Sequence, residues 1–461
     1  MKYTFLYMLG LVVVMGCQGD RHTVPLAEVH EELSGGEATV FDQSKNAFGF
    51  QAPGVEGDDE LYFFVGNSFF NQNWVSAPAS TTARDGLGPY FNARSCAGCH
   101  FKDGRGTPPS IEGKLGEGML LRLSVPGKNA LGQPLVEPTY GNQLQDQALL
   151  GIMREGGYEV LYVEQPGEYP DGTPYSLRKP LYQFVDLAYG DMDPSVQISP
   201  RVGPQIVGLG LLEAIPESTI LALADENDAN GDGVSGRPNY VWDRIKQKKV
   251  MGRFGWKANQ STLLHQTAAA FHGDVGIKTS YFPEDDCEGE ACDPLYDGGD
   301  PEIEDDDLGK VVLYVSTLAV PARRDWENEE VRRGKQLFQE VGCVSCHVSK
   351  FTTGKHPRFD ALSDQTIRPY TDLLLHDMGE GLADNRPDYE ATGREWRTPP
   401  LWGIGLINVV NDHTYLLHDG RARNLEEAIL WHGGEAEQSK NAFKALSSKE
   451  RDQIIQFLNS L

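Results

Sequence analysis

Helical spacing of apolar and charged residues is clearest in the last third of the chain. Residues 327–341 predict an amphipathic helix that runs directly into Cys343. Asn424 can cap a second helix from Leu425 to about Trp431. Ser447-Ser448-Lys449-Glu450 has the pattern of a capping box, which opens a last helix. The apolar faces of the first and last helices are Val331, Leu337, Phe338 and Val341, and Ile454, Ile455, Phe457 and Leu458.

Upstream of this region the periodic patterns are weak. From about Asn46 to Pro321, Gly and Pro recur at short intervals, which favours loops. Met119–Val125 alternates as a short strand would. The change in character predicts a long N-terminal domain, residues 46–322, and a shorter C-terminal domain, residues 323–461.

The first residues have the pattern of an export signal. An apolar run, Phe5–Met15, follows Lys2 and is too short to span a bilayer comfortably. Val14-Met15-Gly16-Cys17 then matches a bacterial lipobox, so we expect removal of residues 1–16 and a lipid anchor on Cys17. A plain secretory signal is the alternative. Residues 17–45 would form a tether, and the protein would face the periplasm, with the outer membrane a plausible site of anchoring.

Length and charge limit the possible partners. With 461 residues the chain can form two domains, and its net charge of −26 argues against nucleic acid, whose phosphates attract Lys and Arg. A basic docking face on a redox partner would suit this charge.

The cysteines carry the strongest chemical signal. Cys96-Ala97-Gly98-Cys99-His100 and Cys343-Val344-Ser345-Cys346-His347 have the spacing of c-type haem attachment. The two thiols add across the haem vinyl groups, and His100 or His347 then reaches the iron. A thioredoxin-like pair would need a βαβ context, and a shared zinc site would have to join motifs far apart in sequence. Cys287 and Cys292 lie in an acidic loop and predict a short-range disulfide.

A sixth iron ligand decides between electron transfer and catalysis. For the second haem the candidate is His432, at the end of the helix that Asn424 caps, and Met378 is the alternative. Since a helix leads into the second motif and another follows, we expect a mainly α fold. It would consist of two cytochrome c-like haem domains, the N-terminal one enlarged by loops and a few short strands.

The sequence resembles the bacterial di-haem cytochrome c peroxidase superfamily, and more closely its di-haem oxidoreductase branch. The resemblance runs from about Phe48 to the C-terminus. The segments that carry it are Gly86-Leu87-Gly88-Pro89, Asp103-Gly104-Arg105-Gly106, Gly208-Leu209-Gly210-Leu211-Leu212-Glu213-Ala214-Ile215-Pro216, Gly252-Arg253-Phe254-Gly255-Trp256-Lys257-Ala258, Trp396-Arg397-Thr398-Pro399-Pro400-Leu401-Trp402, His418-Asp419-Gly420-Arg421 and Leu425-Glu426-Glu427-Ala428.

The resemblance implies a division of labour between the haems. In the superfamily, the helix after the His-Asp-Gly segment ends on the sixth ligand of the C-terminal haem, usually a methionine; here that position is His432. The N-terminal haem would be open to peroxide, with acid–base groups nearby. Candidates for that role are Gln143, Gln145 and Glu213, whereas His265 or His272 could instead close the site as a sixth ligand.

Two further features have both a functional and a structural interpretation. Asp228, Asn230, Asp232 and the carbonyl of Val234 fit the first half of a calcium loop, but the position of the bidentate Glu is Asn239. An Asx-rich turn explains the same residues. Trp256 and Trp402 could shorten electron tunnelling between haems, or they could be core residues.

The sequence therefore predicts an exported di-haem oxidoreductase, most simply a peroxidase. A small redox protein or a membrane electron carrier would donate electrons, and peroxide or a small oxidisable molecule would be the substrate. The alternatives are an electron-transfer cytochrome with two six-coordinate haems, and an oxidoreductase of thiols or protein substrates.

Overall fold

The computed structural model describes residues 24–109, 118–284, 287 and 296–461. Of these residues, 29% are helical and 20% lie in strands and bridges. The expectation of a mainly α fold built from two cytochrome c-like domains is therefore wrong: the chain mixes helices with several small sheets. Within the described ranges, no helix is both long and apolar enough to cross a membrane.

The α-helices are short, and the longest ones pack in pairs. In chain order they are α1 Asp58–Asn71, α2 Leu209–Glu213, α3 Glu217–Leu221, α4 Leu263–Ala270, α5 Asp305–Thr317, α6 Glu329–Glu340, α7 Ile407–Asn411, α8 Leu425–Trp431, α9 Glu437–Ala445 and α10 Ser448–Ser460. One π-helical segment, Phe271–Val275, extends α4.

The strands form small sheets, none of which has more than three strands in the described part of the chain. They are β1 Thr39–Val40, β2 Tyr90–Phe91, β3 Met119–Lys128, β4 Pro134–Leu135, β5 Gln147–Ala148, β6 Gly157–Glu168, β7 Pro174–Val185, β8 Gln197–Val202, β9 Tyr240–Asp243, β10 Lys248–Met251, β11 Val320–Pro321, β12 Phe351–Thr352, β13 Thr366–Ile367, β14 Leu375–Asp377 and β15 Glu395–Arg397. The three-stranded sheet has the order β4-β3-β8.

The strands that the sequence analysis missed are interrupted by Pro and Gly. β6 and β7 pair in register over twelve positions, from Gly157 opposite Val185 to Glu168 opposite Pro174. Pro166 and Gly167 lie inside β6, and Pro180 lies inside β7. A two-stranded ribbon has only edge strands, which tolerate proline, so these residues do not break the pairing although they hide it in the sequence.

The helical predictions near the C-terminus are confirmed. The predicted helix before Cys343 is α6, and Asn424 caps α8 by accepting a hydrogen bond from the N–H of Glu427. Ser447 and Glu450 form the predicted capping box of α10. Since these three helices have strong local signals, their existence could be predicted without the tertiary fold.

Two close helix crossings organise the core. α1 packs on α5 and α6 packs on α10, with a glycine at each contact. A Cβ atom on Gly66 would lie 2.1 Å from the carbonyl oxygen of Lys310, and one on Gly334 would lie 1.9 Å from that of Gln453. Only glycine allows the helix backbones to approach this closely.

The largest core cluster joins both sides of the predicted domain boundary. It contains Phe48 and Trp74 from the N-terminal region and Phe351 and Trp402 from the C-terminal region. The boundary itself, at residues 322 and 323, stays a prediction.

The segment predicted as a tether is packed against the rest of the molecule over residues 28–40. β1 pairs in parallel with β11. Glu31, which is 1% exposed, forms ion pairs with the buried Arg323 and with Lys335. Residues 1–16 and Cys17 lie outside the described residues, so the signal peptide and the lipid anchor stay predictions.

Candidate functional site

The two Cys-x-x-Cys-His motifs adopt the same local structure. Each pair of cysteines brackets a 3₁₀ turn, Cys96–Gly98 and Cys343–Ser345. The N–H of His100 donates to the carbonyl oxygen of Cys96 at 2.9 Å, and that of His347 donates to Cys343 at 3.0 Å. The spacing of the motif thus folds each histidine back beside its first cysteine.

The thiols are not activated as a redox pair would be. Burial raises the pKa of Cys96 and of Cys343 to about 12. A thioredoxin-like cysteine has instead a lowered pKa, which provides the reactive thiolate. The surroundings of both motifs therefore argue against disulfide exchange and are compatible with permanent attachment of a group.

The motif histidines are held in one orientation by main-chain carbonyl groups. His100 Nδ1 donates to the carbonyl oxygen of Pro204 at 2.7 Å, and His347 Nδ1 donates to that of Tyr370 at 2.9 Å. Burial lowers the pKa of both, to about 4 for His347, so each ring is neutral. A neutral imidazole with Nδ1–H anchored and Nε2 free is the form that binds a metal ion.

His432 has the same arrangement at the end of α8. Its Nδ1 donates to the carbonyl oxygen of Ala428 at 2.7 Å, and burial lowers its pKa. His432 is also among the neighbours that lower the pKa of His347, after burial. The structure therefore brings His347 and His432 together. Met378, the alternative ligand, lines the same space.

One cavity contacts both motifs. Its volume is about 370 Å³, and His100, His347 and His432 all line it. Four buried polar atoms of residues in its wall have no hydrogen-bond partner among the described residues: Arg105 Nε, Asn259 Oδ1, Gln260 Oε1 and His418 Nε2. Since buried polar groups are normally paired, these atoms fit a wall that faces a bound polar molecule.

Two buried arginines in this wall lack a carboxylate partner. Arg105 and Arg397 are 5% and 8% exposed, and no described Asp or Glu lies within ion-pair distance of either. Burial lowers the pKa of each to about 10. Burying an unpaired charge is costly, so an anionic group in the cavity would stabilise both side chains. The two propionate groups that each haem carries would meet this requirement.

The two tryptophans considered as electron relays differ in position. Trp256 lines the cavity, donates from Nε1 to the carbonyl oxygen of Val202 at 2.9 Å, and has the Arg105 guanidinium 5.3 Å from its ring centroid. Trp402 is 1% exposed, belongs to the core and does not line the cavity. Of the two, Trp256 alone lines the cavity that contacts both motifs, and its role as a relay stays a prediction.

The predicted acid–base residues lie behind the cavity wall. Gln143, Gln145 and Glu213 do not line the cavity. Gln143 Nε2 donates to Asp274 Oδ1 at 3.0 Å, and Gln145 Nε2 donates to the carbonyl oxygen of Gly273 at 2.8 Å. Glu213 accepts the N–H of Leu263 at the start of α4. Through these contacts the three side chains can orient neighbouring parts of the chain.

Several polar residues that do line the cavity were missed by sequence reasoning. They include Arg122, Gln266 and Asp274. Asp274 is among the groups that influence His100, and Arg122 lies 3.8 Å from its carboxylate. No local motif marks these residues, because strand β3, helix α4 and its π-helical extension bring them together only in the folded chain.

His265 and His272 lie apart from His100. Both line a second cavity, whose described lining does not include His100. His265 contacts Ser261 Oγ through Nδ1 at 3.3 Å, and His272 Nε2 contacts the carbonyl oxygen of Glu284 at 3.0 Å.

A further histidine beside the second motif was also missed. His376 contacts Asp372 and Glu435, each at 2.7 Å, and lies 3.6 Å from Cys346 Sγ. Burial opposes protonation, but these partners raise the pKa of His376 above its usual range. The group of Cys346, Asp372 and His376 is the one cluster of potential metal ligands found among the described residues.

The proposed calcium loop is folded by its own hydrogen bonds. Asp228 accepts from the N–H of Gly233, and Asp232 accepts from that of Val234 at 2.9 Å. Asn230 Oδ1 accepts from the N–H of Asp232 at 2.8 Å. Calcium binding at these residues stays a prediction. Cys287 is in a disulfide, and its predicted partner, Cys292, lies outside the described residues.

One family model matches most of the chain. The family model described as "Di-haem oxidoreductase, putative peroxidase" matches residues 28–461. A comparison with curated proteins finds no match.

Proposed function

Since the chain belongs to the di-haem oxidoreductase family, we propose that it carries a covalent c-type haem at each Cys-x-x-Cys-His motif and reduces peroxide. The reaction would take place at the haem of Cys96, Cys99 and His100. Electrons would reach it through the haem of Cys343, Cys346 and His347. Two electrons and two protons convert one hydrogen peroxide molecule into two water molecules.

The asymmetry of the cavity histidines carries this proposal. Among the described residues of its lining, three histidines have Nδ1 bonded to a main-chain carbonyl oxygen: His100, His347 and His432. The last two are neighbours, whereas His100 has Asp274 near it, with Arg122 3.8 Å from that carboxylate. An iron with two protein ligands transfers electrons, and an iron with one can bind peroxide.

Side chains near His100 could manage the protons and charge of the reaction. Haem supplies one-electron chemistry and an iron site for the peroxide oxygen. Asp274 can accept a proton from the bound peroxide and return it to the departing oxygen, while Arg122 favours negative charge there. Gln143, which donates to Asp274 at 3.0 Å, would fix the orientation of this carboxylate.

Peroxide turnover and electron paramagnetic resonance together test the proposal. The holoprotein should consume hydrogen peroxide with a reduced electron donor, and its oxidised or half-reduced form should show one high-spin haem. Asp274→Asn should lower kcat/KM for peroxide by about 10²-fold or more. Asp412→Asn, at an exposed ion pair with Lys45, is the control and should change nothing.

Two low-spin haems in every redox state, without peroxide turnover, would contradict the proposal. That result would indicate an electron-transfer cytochrome with two six-coordinate irons.

We also propose that the protein is exported and held at a bacterial membrane through Cys17, facing the periplasm. The lipobox Val14-Met15-Gly16-Cys17 supports this. There the protein would receive electrons from a small redox protein or a membrane carrier. Labelling with a radioactive fatty acid should mark the wild-type chain and not Cys17→Ser; equal labelling of both would exclude the anchor.

A further inference from the structure

We propose that a second cavity, next to the first, binds a small organic anion that has a carboxylate and a planar ring. This cavity of about 570 Å³ is lined by residues of β3, α4 and the loop after β9. Arg122 and Gln260 line both cavities, so the two spaces adjoin. The proposal goes beyond peroxide reduction, because the second cavity takes no part in the proposed reaction of peroxide.

Helix α4 separates the two cavities. Gln266 faces the cavity of His100, whereas His265 and Ala269, four residues apart, face the second one. Residues with this spacing lie on the same side of a helix. Gly273, in the π-helical extension of α4, also lines the second cavity. A ligand in the second cavity would therefore lie directly across α4 and Arg122 from the haem site.

The charge of the lining is opposite to that of the chain. The net charge is −26, yet no aspartate or glutamate is among the described residues that line this cavity. Arg122 and Arg244 contribute guanidinium groups there. Each of them also has a carboxylate neighbour, Asp274 for Arg122 and Glu284 for Arg244, and neither carboxylate is among the described residues that line the cavity. Guanidinium groups are well suited to bind a carboxylate through two hydrogen bonds.

An aromatic wall favours a planar ligand. The rings of His265 and Phe282 stack at 5.9 Å with an angle of 17°, and the Arg244 guanidinium lies 4.7 Å from the centroid of Phe282. Trp242 and Tyr389 also line the cavity. Aromatic rings bury a planar molecule well and prefer offset or edge contacts, while the arginines supply the specificity for its charge.

Calorimetric titration of the oxidised holoprotein with benzoate tests the inference, and uncharged benzamide of nearly the same shape is the matched ligand. Benzoate should bind at least about tenfold more tightly than benzamide, since a charged hydrogen bond contributes more than a neutral one. Arg244→Gln should weaken benzoate binding by about tenfold. Arg154 forms a comparable ion pair with Asp186, as Arg244 does with Glu284, but Arg154 lines neither cavity. Arg154→Gln should therefore leave benzoate binding unchanged.

A second variant tests the location without changing charge. Ala269→Leu fills the cavity from α4 and should abolish benzoate binding while the Soret spectrum stays that of the wild type. Equal affinities for benzoate and benzamide, or equal affinities of Arg244→Gln and Arg154→Gln for benzoate, would overturn the inference. So would an absence of binding to the wild type. None of these measurements uses peroxide, so their failure differs from failure of the proposed peroxidase function.

Discussion

At the scale of single residues, the main feature of the cavity is a set of three histidines whose Nδ1 atoms donate to main-chain carbonyl oxygens. His100 and His347 could be predicted from the spacing of their motifs, and His432 from its place at the end of a capped helix. The structure adds the carbonyl groups that orient each ring. It also adds two buried arginines in the cavity wall, Arg105 and Arg397, for which an anionic group would be a favourable partner.

Replacement of His432 by Ala should remove the sixth ligand of the second haem. We expect one low-spin signal to become high-spin in electron paramagnetic resonance of the oxidised protein. His432→Met should keep the iron low-spin and raise its potential, because methionine ligation favours the reduced form. Met378→Leu is the control and should leave the spectrum unchanged. A high-spin signal in Met378→Leu but not in His432→Ala would assign the ligand to Met378.

Replacement of Arg105 by Gln should lower the midpoint potential of one haem. A buried positive charge stabilises the centre that has gained an electron, so its loss favours the oxidised form. The expected shift is on the order of 59 mV, which corresponds to about a tenfold change in the one-electron equilibrium. Spectroelectrochemical titration measures it. Arg105→Lys, which keeps the charge, should shift the potential much less; equal shifts in both variants would argue against a charge effect.

At the scale of elements, close contacts between helices decide the packing. α6 leads into the second motif. α10 packs across α6, with Gly334 of α6 at the crossing. The amphipathic pattern predicts the two helices. It does not predict that glycine is required, because glycine is otherwise unfavourable inside a helix.

Gly334→Ala should destabilise the protein by about 1 to 3 kcal/mol, the usual cost of overpacking. The new methyl group would lie 1.9 Å from the carbonyl oxygen of Gln453, so the helices must move apart. Gly309→Ala in α5 is the matched control, since nothing lies within 4 Å of its Cβ position. It should stabilise the protein by about 0.5 to 1 kcal/mol through helix propensity. Chemical denaturation measures both; destabilisation of equal size would contradict the steric explanation.

At the scale of the whole molecule, the described N-terminal segment packs against the C-terminal region. Glu31 and Arg323, both nearly inaccessible to solvent, form an ion pair across almost three hundred residues of sequence. Burial opposes ionisation of Glu31, but Arg323 and Lys335 lower its pKa below the usual 4.5. The charged form of Glu31 is therefore the form that the folded protein stabilises.

Glu31→Gln should destabilise the protein by about 3 to 5 kcal/mol at neutral pH, because Arg323 would be left buried without its partner. Glu37→Gln, at an exposed position in the same segment, should have little effect. Thermal unfolding compares the two variants with the wild type. A loss in Glu31→Gln no larger than in Glu37→Gln would show that the pair does not contribute.

The lowered pKa of Glu31 also predicts an acid-dependent loss of stability. Its contribution is present above the unfolded-state pKa, near 4.5, and is lost as the pH falls through the lower folded-state pKa. The wild type should therefore lose more stability than Glu31→Gln between pH 5 and the acid limit of folding, on the order of the ion-pair energy. Parallel stability curves for the two proteins would contradict this linkage.

The sequence by itself determined the features that depend on local chemistry. The spacing of each Cys-x-x-Cys-His motif is set by the size of one turn, and the caps of α8 and α10 join residues three positions apart. The family could be recognised from other short segments, such as His418-Asp419-Gly420-Arg421.

Only the tertiary structure decided the fold class and the rest of the site. β6 contains Pro166 and Gly167 and β7 contains Pro180, which interrupt the local strand pattern, so the pairing of the two strands with each other defines them. Arg122, Asp274 and Arg397 face the cavity because distant segments meet there. Contacts between residues far apart in sequence leave no periodic pattern, and the packing of the whole chain alone brings them together.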